Sequence, residues 1–231
     1  MLAFARTATD EFDAALAEAN KGIPVIPLTS TDGDFISPAD LKAQLRSIPI
    51  EKKEKLAAQI TPLLPLMAKE QSDPLFHSAY GSSHGILILK EIGTDAQKIQ
   101  AFRHLELFTK SRDEACRALA SCEGNEGVKI LTQYAESQFD ALAKDTPRAS
   151  EGQPVEKPDV NIYHVIIALA GAYHPDGPVA ADKMRDRIIE MCKIRLSADR
   201  LAAVEKDFEK NMKIARLERE SLLKEKPPSN K

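Results

Sequence analysis

The chain has no tryptophan, and its aromatic share is only 5% of 231 residues. Little is therefore available to stack on nucleobases or sugar rings. An excess of positive charge is missing as well: 32 Lys and Arg stand against 35 Asp and Glu, a formal net charge of −3. The basic footprint by which nucleic-acid binders meet phosphate is absent, so no nucleic-acid partner is expected. The chain is not acidic enough for a disordered solvating segment either. The long uncharged run Val160 to His174 includes Asn161 and His164 and falls short of the roughly 20 apolar residues that span a bilayer. The amino terminus, Met1-Leu2-Ala3-Phe4-Ala5-Arg6, meets Asp10 and Glu11 before any apolar stretch develops, unlike a signal peptide. A soluble protein without a membrane span is expected.

Cysteine is scarce. Cys116, Cys122 and Cys192 are odd in number, with no Cys-x-x-Cys spacing. A disulfide framework would leave one thiol over, so a reducing compartment, the cytoplasm, is the simpler setting. On a helix, Cys116 and Cys122 would point about 240° apart, at about 100° per residue, a poor arrangement for a shared metal. Buried free thiols are expected instead.

Cofactor motifs are missing too. The chain carries no Walker pattern, no Gly-x-Gly-x-x-Gly, no His-Glu-x-x-His and no Glu-x-x-His, the patterns that hold phosphates, zinc or paired iron. Thr31-Asp32-Gly33-Asp34 is a fragment of a calcium loop without its closing glutamate. Neither a cofactor nor a metal is expected.

What is present is helical punctuation around a hydrophobic content of 43%, enough for a core without staples. Thr7 or Thr9 caps a helix that carries Phe12, Leu16 and Ala19 inward and ends at Gly22. Ile23 to Leu28, with Pro24 and Pro27, reads as extended chain. Ser37-Pro38-Ala39-Asp40 opens a helix bearing Leu41, Leu45 and Ile48. A further helix from Glu51 buries Leu56 and Ile60, with Lys52, Lys53 and Lys55 on a solvated face. Thr61-Pro62 then either kinks it or caps a new helix with Leu63, Leu64 and Met67. Asp73-Pro74 opens a turn to Gly81. Ile86-Leu87-Ile88-Leu89 is the best strand candidate, although a buried helix fits so short a run equally well. Thr94 precedes a helix with Ile99, Phe102, Leu105 and Phe108. Ser111 with Glu114 makes a capping box before Ala115, Cys116 and Leu119. Val128, Leu131, Ala135, Phe139 and Leu142 share another face.

Asp145 to Pro158 reads as a loop. From Ile162 to Tyr173 the chain is apolar on every side, which calls for cover from several neighbours. The C-terminal half offers few, so one domain over residues 1–226 is expected, the loop 145–158 inside it and a disordered tail at 227–231. No internal repeat is visible. The expected fold is all-α: an irregular bundle of about eight to ten helices with a long C-terminal amphipathic arm.

That arm divides. With Met184 as zero, Ile188, Met191, Cys192 and Leu196 cluster near 60°, whereas Leu201, Val204, Phe208, Met212, Ala215 and Leu222 cluster near 240°, at about 100° per residue. A half-turn jump exceeds what supercoiling absorbs, about 20° per heptad, and Ser197 suits a cap. Two helices are expected. The second offers an apolar seam to its own domain, to a partner protein or to a second copy.

One motif carries a mechanism. Gly81-Ser82-Ser83-His84-Gly85 satisfies the nucleophile-elbow pattern, with Ser83 as the nucleophile. Asp159 or Asp145, with His164 or His174, would complete the order Ser, Asp, His. The surrounding chain lacks the alternating strands that such an elbow follows. A polar loop between helices accounts for the motif, a core histidine accounts for His164, and His174 before Pro175 can end a helix. The leading expectation is a non-enzymatic protein-interaction module, an adaptor, regulator or secreted effector, docking through Leu201, Val204, Phe208, Met212, Ala215 and Leu222. A serine hydrolase and a carrier of an apolar small molecule or lipid are the alternatives.

Overall fold

A computed structural model describes residues 7–19, 21, 45–70, 82–105, 109–144 and 160–225. Ten α-helices and no strand occur among the described residues, so the protein is all-α. The chain groups into two compact units, Met1–Ala118 and Leu119–Lys231.

In the first unit, α1 (Ala8–Ala19) opens with a reciprocal capping box. The Thr7 N–H donates to Asp10 Oδ2 at 2.9 Å, and the Asp10 N–H donates to Thr7 Oγ1 at 3.1 Å. Phe12, Leu16 and Ala19 turn inward, as their spacing predicts. Lys52, on α2 (Ile50–Ile60), donates from Nζ to the carbonyls of Ala19 at 3.4 Å and Lys21 at 2.8 Å. It supplies the cation that the carbonyl end of α1 favours, a more specific duty than a solvated face. Leu56, Ala57 and Ile60 are buried.

At Thr61-Pro62 the helix tightens instead of stopping. Thr61–Leu63 forms a 3₁₀ turn that runs into α3 (Leu64–Glu70), and the Thr61 hydroxyl donates to the Ala57 carbonyl at 2.6 Å. Leu63, Leu64 and Met67 are buried. The strand candidate Ile86–Leu89 is helical, inside α4 (Ser82–Ile92), with Ile86, Ile88 and Leu89 buried. The reason lies at Gly85: a Cβ there would overlap the Leu64 side chain and stand 3.6 Å from the Phe12 ring. A helix approached this closely is buried on more than one side, and its sequence then loses helical periodicity.

α5 (Asp95–Leu105) begins at a second capping box, Thr94 with Gln97 (2.9 and 3.3 Å). It buries Lys98, Ala101 and Phe102, and Ile99 is half-exposed. α6 (Thr109–Ala120) starts before Ser111, so that serine lies inside the helix and not at its cap. Ala115, Cys116 and Leu119 are buried as expected. Residues 1–6, 20, 22–44, 71–81, 106–108, 145–159 and 226–231 lie outside the described residues. With them go the expectations for Gly22, the extended segment 23–28, the helix start at 37–40, the turn at 73–81, the loop 145–158 and the tail.

The second unit holds α7 (Glu126–Lys144), α8 (Val160–Ala170), α9 (Asp176–Lys193) and α10 (Ala198–Glu225). Helices α7, α9 and α10 all pack against α8, whose Ile162, Val165, Ile166 and Leu169 are fully buried. α7 contributes Val128, Leu131, Ala135 and Phe139 to the core. The break near Ser197 is present: the Leu201 N–H donates to the Ser197 carbonyl at 2.9 Å, which places Ser197 at the start of α10.

Two turns in this unit are built alike. Ala118-Leu119-Ala120 and Ala168-Leu169-Ala170 each precede a five-residue turn, and each turn is followed by an acid and a glycine, Glu126-Gly127 and Asp176-Gly177. In the first, the Cys122 N–H donates to the Leu119 carbonyl at 3.1 Å; in the second, the Ala172 N–H donates to the Leu169 carbonyl at 3.1 Å. A Cβ at Gly127 would overlap the Leu119 carbonyl and come within 3.0 Å of the Cys122 Cβ. A Cβ at Gly177 would overlap the Ala172 methyl and come within 2.8 Å of the Leu169 carbonyl. The structure thus shows an internal repeat at a spacing of fifty residues where apolar periodicity gave none. The turns are joined, because the Tyr173 N–H donates to the Ala120 carbonyl at 3.0 Å. From α10, Arg219 Nε donates to the Ala172 carbonyl at 2.6 Å and Nη2 to the Tyr173 carbonyl at 3.3 Å.

Gly177→Ala is expected to destabilise the second unit by about 1–3 kcal/mol through overpacking. At Gly171 a Cβ would meet the Ala215 carbonyl at 3.4 Å and methyl at 3.5 Å and the Ala168 carbonyl at 3.7 Å, all ordinary contacts, so Gly171→Ala should stay within about 0.5 kcal/mol. Urea midpoints at an unchanged slope measure both. Arg219→Met keeps the apolar stem and removes the donors, and a loss of about 1.5–3 kcal/mol is expected in the same titration.

Candidate functional site

α7 and α9 start from equivalent turns and run side by side in the same direction. At their N-terminal ends, Asn125 Nδ2 donates to Asp176 Oδ2 at 3.2 Å. Eleven residues further along each chain, Arg187 Nη1 donates to Glu136 Oε2 and the guanidinium stands 4.3 Å over the Phe139 ring. Between these two bridges lies an open groove of about 680 Å³. Its α7 wall is Asn125, Val128, Lys129, Thr132, Gln133 and Glu136; its α9 wall uses the same spacing, from Asp176 through Val179, Ala180, Lys183 and Met184 to Arg187. That spacing is one face of a helix. Val128 and Met184 form a buried floor, and Val179 is 56% exposed at the lip.

The polar walls are unequally engaged. Glu136 is bound by Arg187. Asp176 accepts from Asn125 and lies 3.5 Å from His174 Nδ1. Lys129 stands 3.9 Å from Glu126 in an exposed i,i+3 pair, a contact worth about 0–1 kcal/mol. Lys183 is exposed and has no ion pair or hydrogen bond among the described residues.

The residues singled out from sequence are dispersed. Ser83 falls in the first turn of α4, and no strand precedes it among the described residues. Asp159 and Asp145 lie outside the described residues. His164, half-buried on α8, packs edge-on against the Tyr163 ring at 5.7 Å. His174 does not terminate α8, which ends at Ala170. It sits in the second turn, where Nδ1 accepts from the Asp176 N–H at 3.3 Å. A residue before proline is disfavoured in a helix, and here the His174 imidazole bonds one N–H at the start of the next helix. Among the described residues no three His, Cys, Asp or Glu side chains group as metal ligands. No described helix is long and apolar enough to cross a membrane.

The C-terminal seam is placed mostly inside. Phe208, Met212 and Ala215 are buried, Phe208 with its ring 4.8 Å from that of Tyr163. Leu201, Val204 and Leu222 are half-buried. Beside this seam, Asn211 Nδ2 donates to Tyr163 Oη at 2.8 Å. Burial, and then the neighbouring Asp207 carboxylate, push the Tyr163 phenol well above its ordinary value, while Asn211 opposes. It stays protonated. The sequence reading passed over the groove. Its signal was the shared spacing from Asn125 and from Asp176, together with the repeated Ala-Leu-Ala-x₅-acid-Gly, in which neither stretch is apolar enough to attract notice.

Comparison with family models, with curated proteins and with solved structures gives no match for this chain.

All three cysteines are free and buried. Burial pushes the Cys116 thiol up from 9.0 to about 12, with Asp113 adding and Arg112 and Arg117 opposing. Cys192 is raised by burial as well, against Arg195. Only a thiolate attacks, so Cys116 is expected to resist iodoacetamide at pH 8 in the native protein and to react once urea unfolds it. Between pH 9 and 12 the unfolded chain releases this proton and the native state keeps it. Stability therefore falls as pH rises through that window. A urea series at pH 8, 9 and 10, compared with Cys116→Ala, isolates the contribution.

Proposed function

We propose that the protein is a non-enzymatic interaction module whose docking surface is the groove between α7 and α9. The observation that carries this reading is the groove itself: parallel helical walls, an apolar floor and an exposed Val179 at the lip. Grooves between helices are a recurrent seat for a partner's side chains. The C-terminal seam, first in line from sequence, recommends itself less, because Phe208, Met212 and Ala215 already fill the protein's own core. α10 acts instead as a brace, fastened by Arg219 to the second turn and by Arg216 to Asp182 at 2.8 Å. Buried free thiols favour a reducing compartment as the working site.

A photo-crosslinking residue at position 179, in cells of the source organism, is expected to yield a discrete protein adduct. The same residue at the exposed Lys206 position should yield none, and Lys183→Glu should reduce the adduct from position 179 about tenfold. Absence of an adduct, together with fluorophosphonate labelling that Ser83→Ala abolishes, would overturn this reading in favour of a serine hydrolase.

A further inference from the structure

Resting on that reading of the groove, we infer that its occupant is a second copy of this chain, seated through an antiparallel pair of α9 helices. The charges left over on α9 point to this. Around the groove Lys129 is paired with Glu126, Arg187 with Glu136 and Asp140, and Asp182 with Arg185 and Arg216. Two charges of opposite sign remain. Lys183 makes no ion pair or hydrogen bond among the described residues. The exposed Asp176 carboxylate has beside it only the neutral amide of Asn125 and a His174 Nδ1 that already accepts the Asp176 N–H.

Their positions are related by a two-fold. Asp176 and Lys183 both line the groove from α9, two helical turns or about 10 Å apart. Val179 and Ala180 lie between them on the same wall. Read from either end, this face runs charge, apolar, apolar, charge, with its midpoint between Val179 and Ala180. A second α9 turned about that midpoint brings each Asp176 to the other copy's Lys183. The same rotation sets each Val179, 56% exposed in a single copy, onto the other copy's Ala180, whose methyl lets the backbones come close. A parallel pairing in register would set Lys183 on Lys183 and Asp176 on Asp176, which repulsion disfavours. The antiparallel interface is isologous and closes at two copies. Helices packed ridge into groove cross at roughly 20° or 50°, so contact stays within Asp176–Lys183 and clears the Arg187–Glu136 bridge. So short a contact belongs with weak, concentration-dependent interfaces.

The test is sedimentation velocity of the full chain from about 1 μM to about 1 mM. The native chain is expected to pass from monomer to dimer, at a midpoint concentration that added salt raises. Lys183→Glu alone and Asp176→Lys alone should each raise that midpoint at least about tenfold, since each sets like charges together. Mixed in equal amounts, the two variants should dimerise again, because each offers the sign that the other lacks. Urea midpoints verify that both fold. If Asp176→Lys does not, Val179→Asp at the exposed lip takes its place, and a dimer that survives it overturns the pairing. A native chain that stays monomeric throughout, single variants that dimerise as well as the native chain, or no recovery on mixing would likewise overturn the second copy. Photo-crosslinking from position 179 separates that failure from failure of the docking reading. An adduct of twice the chain's mass is expected. An adduct with a different protein would overturn the second copy and leave the groove a docking surface, and no adduct with a monomeric chain would remove both.

Discussion

The peptide group between Ala172 and Tyr173 is engaged at both ends. Its carbonyl accepts from Arg219 on α10, and its N–H donates to the Ala120 carbonyl of the first turn. One planar unit thus joins the C-terminal helix to both turns of the second unit. A guanidinium on the oxygen side polarises the amide and strengthens what its N–H gives on the other side, so the two bonds support each other. The rest of the unit follows from this junction. With the turns held together, α7 and α9 leave from neighbouring points and remain side by side as far as the Arg187–Glu136 bridge.

Glycine makes the junction possible. Each turn folds the following helix back on the preceding carbonyl so closely that residues 127 and 177 have no room for a Cβ. At Gly177 the obstacle includes the backbone oxygen of Leu169, which cannot move aside as a side-chain tip can. At Gly85, by contrast, the nearest atom belongs to the flexible end of Leu64. The same residue type is therefore a strict requirement in one place and a packing preference in the other.

Much of this fold was legible where a signal is local. Thr7 and Thr94 announce helix starts through side chains that bond their own backbone, and Ser197 marks a break because the apolar face jumps by half a turn. Phe12, Leu16, Leu56, Ile60, Phe208 and Met212 were found by periodicity alone. Reading failed where the deciding partner is distant in sequence. Ile86–Leu89 looks like a strand until Leu64 and Phe12 are seen against its glycine. Ser111 resembles a cap because nothing local says that the helix has already begun at Thr109. The groove escaped notice because its walls are mixed in character and separated by about fifty residues. Whether a seam such as Leu201–Leu222 faces inward or outward depends on how many helices compete for it, and no residue pattern records that number.

The two bridges that close the groove impose a limit of their own. From Asn125–Asp176 to Glu136–Arg187 is eleven residues of helix, about 16 Å at 1.5 Å per residue. Anything seated on the floor between them is confined to about three helical turns. A longer helix must climb over one bridge or unwind at it. For the docking surface proposed above, the two bridges therefore set a length limit, and a segment with a proline or glycine bounding a short apolar stripe would fit it better than an uninterrupted helix of the same composition.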